Sequence, residues 1–319
     1  MFSASSSTRS ERMTNGRTKY ARMRSILEVP ILNEKFWSKV PEVAADAIML
    51  DLEDSATPDN KEIARARIVE ALKSPEYFGG RTVIVRVNNL ATQWGHDDLA
   101  ALAPVNSDFL VCYPKVSSAR EISEVRSVLR SGGPARGLHV MIETARAMIE
   151  LDRIASAADV AGLHFGYVDY AADIGSRAFA ESGEELFAPA NHYAQTKIAV
   201  AAAAYGLFAS GGSLIPDYRD LGKVRTFVRR WADLGYTACI AVSPKHLDLI
   251  NELMAPSAAE VSAAQAVCAA YERAVKNGEP AAVLDSKVIT MPDYRVAALT
   301  LSRAGSGAAP AVPGQESRP

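Results

Sequence analysis

The chain has 319 residues, 48% hydrophobic and 23% charged, with a formal net charge of -2. That balance suits one large globular domain or two small ones and gives no basic field for nucleic acid. No apolar run approaches the roughly 20 residues of a membrane span.

The first residues are rich in Ser, Thr and Arg and have no apolar core of a secretory signal. They read as a disordered extension over 1–23, with a transit peptide or a later start at Met13 or Met23 as alternatives. Short apolar runs then alternate with helical patterns. The strand candidates are Ile26–Val29, Ala47–Leu52, Thr82–Val87, Phe109–Tyr113, Leu138–Ile142, Ala161–Phe165, Leu207–Ser210 and Cys239–Val242. Mostly continuous apolar runs are expected for parallel strands covered on both faces. Between them, helices are expected over 58–72, 117–130, 143–154, 188–205, 218–234 and 246–253. Eight such repeats predict an α/β fold, a (β/α)8 TIM barrel over 24–255. An open doubly wound sheet is the alternative. No GxGxxG follows the first strand, so a dinucleotide-binding reading has little support. Residues 256–303 form a C-terminal helical extension, with an amphipathic stretch over 257–275. It must pack on its own barrel or on a neighbouring subunit. The tail over 304–319, rich in Ala, Gly, Pro and Ser, is expected to be disordered. Cys112, Cys239 and Cys268 show no paired spacing and read as reduced, buried thiols of a cytoplasmic protein.

Barrel chemistry sits at the C-terminal ends of the strands. Six inferred strands end in polar residues: Asp51, Glu53 and Asp54; Arg86 and Asn88; Lys115; Glu143; Asp169; and Ser243 with Lys245. Any one of these reads equally well as a rim ion pair, but the clustering of both signs at one end points to a site. Glu143 and Asp169 end adjacent strands, so their carboxylates can converge. Two carboxylates plus waters suit Mg²⁺, which prefers hard oxygen ligands. Arg86 offers a planar fork for a carboxylate. A metal and an arginine together suit a 2-oxo or 2-hydroxy acid. His139 and His164 are isolated within strands and read as core residues. Arg24, Lys35, Lys61 and Arg65 form a basic set near the first two strands, suited to a carrier's phosphates or to solvated helix faces.

These motifs resemble the HpcH/HpaI aldolase and citrate lyase β-subunit-like family, with its malyl-CoA and citramalyl-CoA lyases. The resemblance rests on Arg24-Ser25, Val29-Pro30, Leu50-Asp51-Leu52-Glu53-Asp54, Lys61 with Ala64-Arg65, Val85-Arg86-Val87-Asn88, Pro114-Lys115, Glu143-Thr144-Ala145, and Phe165-Gly166 with Asp169, Asp173 and Gly175. It implies a barrel whose C-terminal extension reaches a neighbouring subunit in a homotrimer or hexamer. It also implies Mg²⁺ on Glu143 and Asp169, Arg86 on the carboxylate of a 2-oxo acid, and an acyl-CoA across the barrel mouth. The reaction would be carbon–carbon cleavage or condensation. Glu53 or Asp51 would assist as acid, base or orienting group, with Lys115 toward the substrate.

Three positions depart from the family pattern. Thr290, in Val288-Ile289-Thr290-Met291-Pro292, stands where these lyases carry an acid/base aspartate. Ile31 replaces a glycine, and Ser243 replaces the histidine before Pro244. The loss at Thr290 makes an acyl-CoA thioesterase or a CoA-independent aldolase the alternative reading. A non-catalytic ligand-binding subunit is the second alternative.

Overall fold

The computed structural model describes residues 19–181, 183 and 189–305. Eight parallel strands close on themselves in sequence order. They are β1 (Ser25–Val29), β2 (Ala47–Asp51), β3 (Thr82–Arg86), β4 (Leu110–Tyr113), β5 (Leu138–Ile142), β6 (Val160–Phe165), β7 (Phe208–Gly212) and β8 (Ala238–Ala241). The ring closes through β1 against β8, with Ile26 opposite Ile240. This is the expected (β/α)8 barrel.

Alternate residues of a strand point to opposite faces, so the barrel has two cores. Ile26, Met49, Ile84, Cys112, Met141, Phe208 and Ile240 fill the inside of the ring. The other parity, with Leu27, Ile48, Leu50, Val85, Val111, Val140 and Leu163, packs in the layer shared with the helices. The same alternation carries the inner face on to Glu28, Asp51 and Arg86 at or near the strand ends.

The helices follow the pattern with local differences. The stretch expected as one helix over 143–154 is two, Ala145–Ile149 and Leu151–Ala155. A helix not anticipated, Gly95–Leu102, follows β3. Its buried Leu99 and Leu102 and its acidic first turn, Asp97 and Asp98, were the available signals. The N-terminal extension lies outside the described residues up to 18, and the tail lies outside them from 306. Within 19–23, however, Tyr20 and Met23 are buried, and Tyr20 packs edge-on to Phe208 at 5.4 Å.

The described residues from 255 onward separate from those up to 254 as a second compact unit. Its described part is the helix Ala258–Lys276, an antiparallel pair β9 (Ala282–Leu284) and β10 (Lys287–Ile289), and the helix Met291–Ala304. It has its own apolar cluster, in which Tyr271 and Tyr294 lie 5.2 Å apart. The sequence pattern showed a helical extension but not the hairpin. Its turn uses Asp285 and Ser286, both at positive φ, instead of the Asn-Gly pair that signals such turns. No helix among the described residues is long and apolar enough to cross a membrane.

Candidate active site

The C-terminal ends of the strands enclose a cavity of about 270 Å³. Glu28, Glu53, Asp54, Glu143 and Asp169 line it, with Arg86 as the cation among them and Met49, Met141, His164 and Ile240 supplying much of the remaining wall.

Arg86 is the hub. It pairs with Asp51 in register across β2 and β3, so the two side chains meet on the inner face. Its Nε donates to Asp51 Oδ1 at 2.6 Å and its Nη2 to Glu28 Oε1 at 3.0 Å. Glu53 and Asp54 lie 3.3 and 3.7 Å from Nη1. Burial alone would weaken the guanidinium's hold on its proton, but Asp51, Glu28 and Glu53 outweigh it and keep the charge fixed. A guanidinium has five N–H groups. Two are in hydrogen bonds, and those on Nη1 face the Glu53 and Asp54 carboxylates.

The acidic cluster after β2 divides its labour. Asp51 is fully buried, and its carboxylate accepts from Glu53 N and Ser55 N as well as from Arg86. Burial opposes its charge, yet Arg86 and these amides hold its pKa below the usual range. It therefore orients Arg86 and shapes the loop. Glu53 reaches the cavity. Burial raises its pKa, offset in part by Arg86 and by Lys115, whose Nζ lies 2.5 Å from Glu53 Oε1.

Lys115 also braces Glu143. Its backbone N–H donates to Glu143 Oε1 at 2.6 Å, from a left-handed conformation with φ of 49°. The other oxygen, Oε2, sits over Gly166, where a Cβ would fall 2.2 Å away. Only glycine leaves room for that carboxylate. Burial first, and then repulsion from Glu53, push the Glu143 pKa up to about 8. Among the described residues no group of three or more His, Cys, Asp and Glu side chains forms a metal cluster. Still, a buried carboxylate with a raised pKa, a second one lining the same cavity at Asp169, and a surplus of negative charge together fit a hard cation that keeps several waters.

The basic set expected to hold a carrier is not brought together. Arg24 precedes β1, at the opposite end of the barrel, and makes a two-pronged pair with Asp46 at 2.8 and 2.9 Å. Lys61 is buried, with Nζ on Leu52 O, Glu53 O and Asn88 Oδ1, so its three donors are all engaged. Arg65 donates to the buried Asp98 at 2.8 Å. These three are structural ties. Lys35 alone stays exposed, on the short helix Glu34–Trp37 after β1.

Two site residues escaped the sequence reading. Glu28 lies inside an apolar strand, two positions beyond the inward Ile26, and that parity was the signal. His164, read as a core residue, is buried but borders the cavity.

The profile of the HpcH/HpaI aldolase/citrate lyase family matches residues 24–244. A (3S)-malyl-CoA thioesterase of Cereibacter sphaeroides is 34% identical over 90% of this chain and 96% of its own. An L-malyl-CoA/beta-methylmalyl-CoA lyase of the same species is 29% identical, over 84% of this chain and 90% of its own. Among solved structures, CitE of Mycobacterium tuberculosis in complex with magnesium, acetoacetate and coenzyme A superposes with a TM-score of 0.72. It is 25% identical, covering 89% of this chain and 99% of that one.

Proposed function

The chain belongs to the HpcH/HpaI aldolase/citrate lyase family, and on that premise we propose that it is a Mg²⁺-dependent enzyme acting on a 3-hydroxyacyl-CoA thioester of the malyl-CoA class. The observation that carries this reading is the single cavity in which Glu143 and Asp169 accompany Arg86 at the strand ends.

Glu143 and Asp169 would hold the cation. When bound, Mg²⁺ would polarise a substrate oxygen and stabilise negative charge as it develops there. Arg86 takes the substrate carboxylate on N–H groups that Asp51 and Glu28 leave open, while those two carboxylates fix its plane. Glu53, with a raised pKa and a place on the cavity wall, is the carboxylate fitted to exchange a proton. Lys115 sets the position of both Glu53 and Glu143.

Two net reactions share this arrangement. Carbon–carbon cleavage would release a 2-oxo acid and leave the thioester intact. Thioester hydrolysis would release the hydroxy acid and free CoA. Hydrolysis is the outcome we expect. By the family resemblance, Thr290 stands where these lyases carry an aspartate. Its N–H and hydroxyl both bond Asp293, 2.8 and 2.7 Å away, at the start of the last helix. A capping threonine offers no acid/base near neutral pH. The thioesterase relatives are also the more similar of the two curated kinds described, at 34% against 29%.

Incubation with malyl-CoA and Mg²⁺ separates the two. Free thiol with malate and no glyoxylate is the expected result. Glyoxylate with acetyl-CoA would instead establish the lyase. Neither product, from folded protein, would sink the substrate assignment.

By the family resemblance, residues 256–303 would meet a neighbouring subunit in a homotrimer or hexamer, which light scattering on the intact protein would read. The three cysteines are free thiols, in keeping with a cytoplasmic setting.

A further inference from the structure

Below the acidic rim, the inside of the barrel holds a polar chain that the preceding reaction does not use. His139 on β5, Ser210 on β7 and His164 on β6 meet at one hydroxyl. His139 Nε2 lies 2.8 Å from Ser210 Oγ, and His164 Nδ1 lies 2.9 Å from the same oxygen. All three residues are buried.

Proton accounting fixes the direction of this chain. A serine hydroxyl donates once. If it donated to His139, the His139 proton would sit on Nδ1. That atom is buried and has no partner, and an orphaned buried N–H is among the rarest defects of a folded protein. An orphaned lone pair costs less. The hydroxyl therefore donates to His164 Nδ1, and His139 Nε2–H donates to the hydroxyl. His164 is then left with its proton on Nε2. That nitrogen bonds no described residue, yet it is not among the sealed, unpartnered atoms. The ring borders the cavity, beside Met49, Met141 and Ile240.

We propose that His164 is a neutral hydrogen-bond donor at the cavity floor. Its Nε2–H is reserved for a carbonyl or carboxylate oxygen of the bound acid, and Ser210 and His139 are the positioning residues that hold it in that tautomer. Neutrality agrees with the surroundings. Burial first, then His139 and Arg86, drive the His164 pKa well below its ordinary value. A neutral imidazole donor adds no charge to a site where Arg86 already binds the carboxylate, and it strengthens its bond as the oxygen becomes negative. Met49, Met141 and Ile240 carry no competing N–H or O–H donor.

This inference rests on the cavity taking a small acid, and the test separates the two ideas. ¹⁵N NMR of histidine-labelled native protein should find His164 neutral and protonated on Nε2. Oxalate with Mg²⁺ should then shift that N–H resonance. His164→Asn keeps an amide near the Nδ1 position for Ser210 but removes the inner donor, whereas His164→Gln places an amide N–H near Nε2. By calorimetry, His164→Asn should bind oxalate about 10-fold more weakly and His164→Gln within about 3-fold of native, the loss expected for one hydrogen bond. Ser210→Ala should populate both tautomers and lower kcat with little change in KM. Thermal melts check that each variant is folded. A proton on Nδ1, an imidazolium, or equal oxalate affinity in His164→Asn and native protein overturns the proposal. Native protein that binds no oxalate, with Glu143→Gln equally silent, overturns the small-acid reading of the cavity and the ligand half of this one.

Discussion

Glu143 shows how one carboxylate ties ligand to pH. Its pKa in the fold, about 8, lies above its ordinary 4.5. For a raised carboxylate, the linked stability is whole below about pH 4.5 and is lost as pH rises through about 8. Glu28 and Glu53 are also raised, chiefly by burial, and act with the same sign. Melting of the Mg²⁺-free protein should therefore fall between about pH 5 and pH 8. The gain from added Mg²⁺ should grow over the same range, because the ion must displace a proton at the lower pH. Scanning calorimetry in buffer with and without chelator reads both. A flat gain from pH 5 to 8 would place the ion elsewhere. At this scale residue type and strand parity were enough to bring Arg86 and Glu143 to the cavity wall, whereas Asp169, expected at a strand end, reaches it from the first turn of the helix Tyr167–Asp173. It misled where the question was whether a donor was already taken. Arg65 and Lys61 look like phosphate ligands on the page. Only the fold reveals Asp98 against the one and three oxygens against the other.

Among the elements, the join between β2, β3 and the helix Lys61–Ala71 has the most at stake. Lys61 reaches back from the helix start to the two carbonyls after β2 and to Asn88 after β3. Asn88 in turn bonds Leu52 O at 3.1 Å and Asp98 at 2.6 Å. Lys61→Ala leaves buried acceptors unpaired and should cost about 2 kcal/mol of stability. It should leave the KM for a CoA thioester nearly unchanged, since this ammonium is not offered to the ligand. A large KM effect with native stability would restore the carrier-binding role. The strands were legible as apolar runs, and most helices from their spacing. The break near Glu150 inside the expected 143–154 helix was not. Glu150 ends one helical run and precedes the next with non-helical geometry, and no Gly or Pro marks it.

For the whole molecule, closure of the ring joins residues from β1 to β8 at one end. Arg86 and Glu28 are separated by 58 positions in the chain and by 3.0 Å in space. The alternation of strand and helix predicted this convergence, because a (β/α)8 ring brings every strand end to one rim. The second unit was harder to read. Its two helices follow apolar spacing, but β9 and β10 have three residues each, too few for a period-2 pattern to stand out. Its separate apolar cluster gives it a core independent of the ring's two.

Lys115 holds its left-handed backbone at a cost of about 1–2 kcal/mol relative to a residue without a Cβ. Its partly exposed ion pair with Glu53 returns little of that. Stability and activity therefore pull in opposite directions at this position. Lys115→Gly should raise the melting temperature while turnover falls, as Glu53 loses its tether. A library screened for heat resistance alone would collect glycine here and discard the enzyme's activity. The lysine persists under selection only where turnover itself is scored.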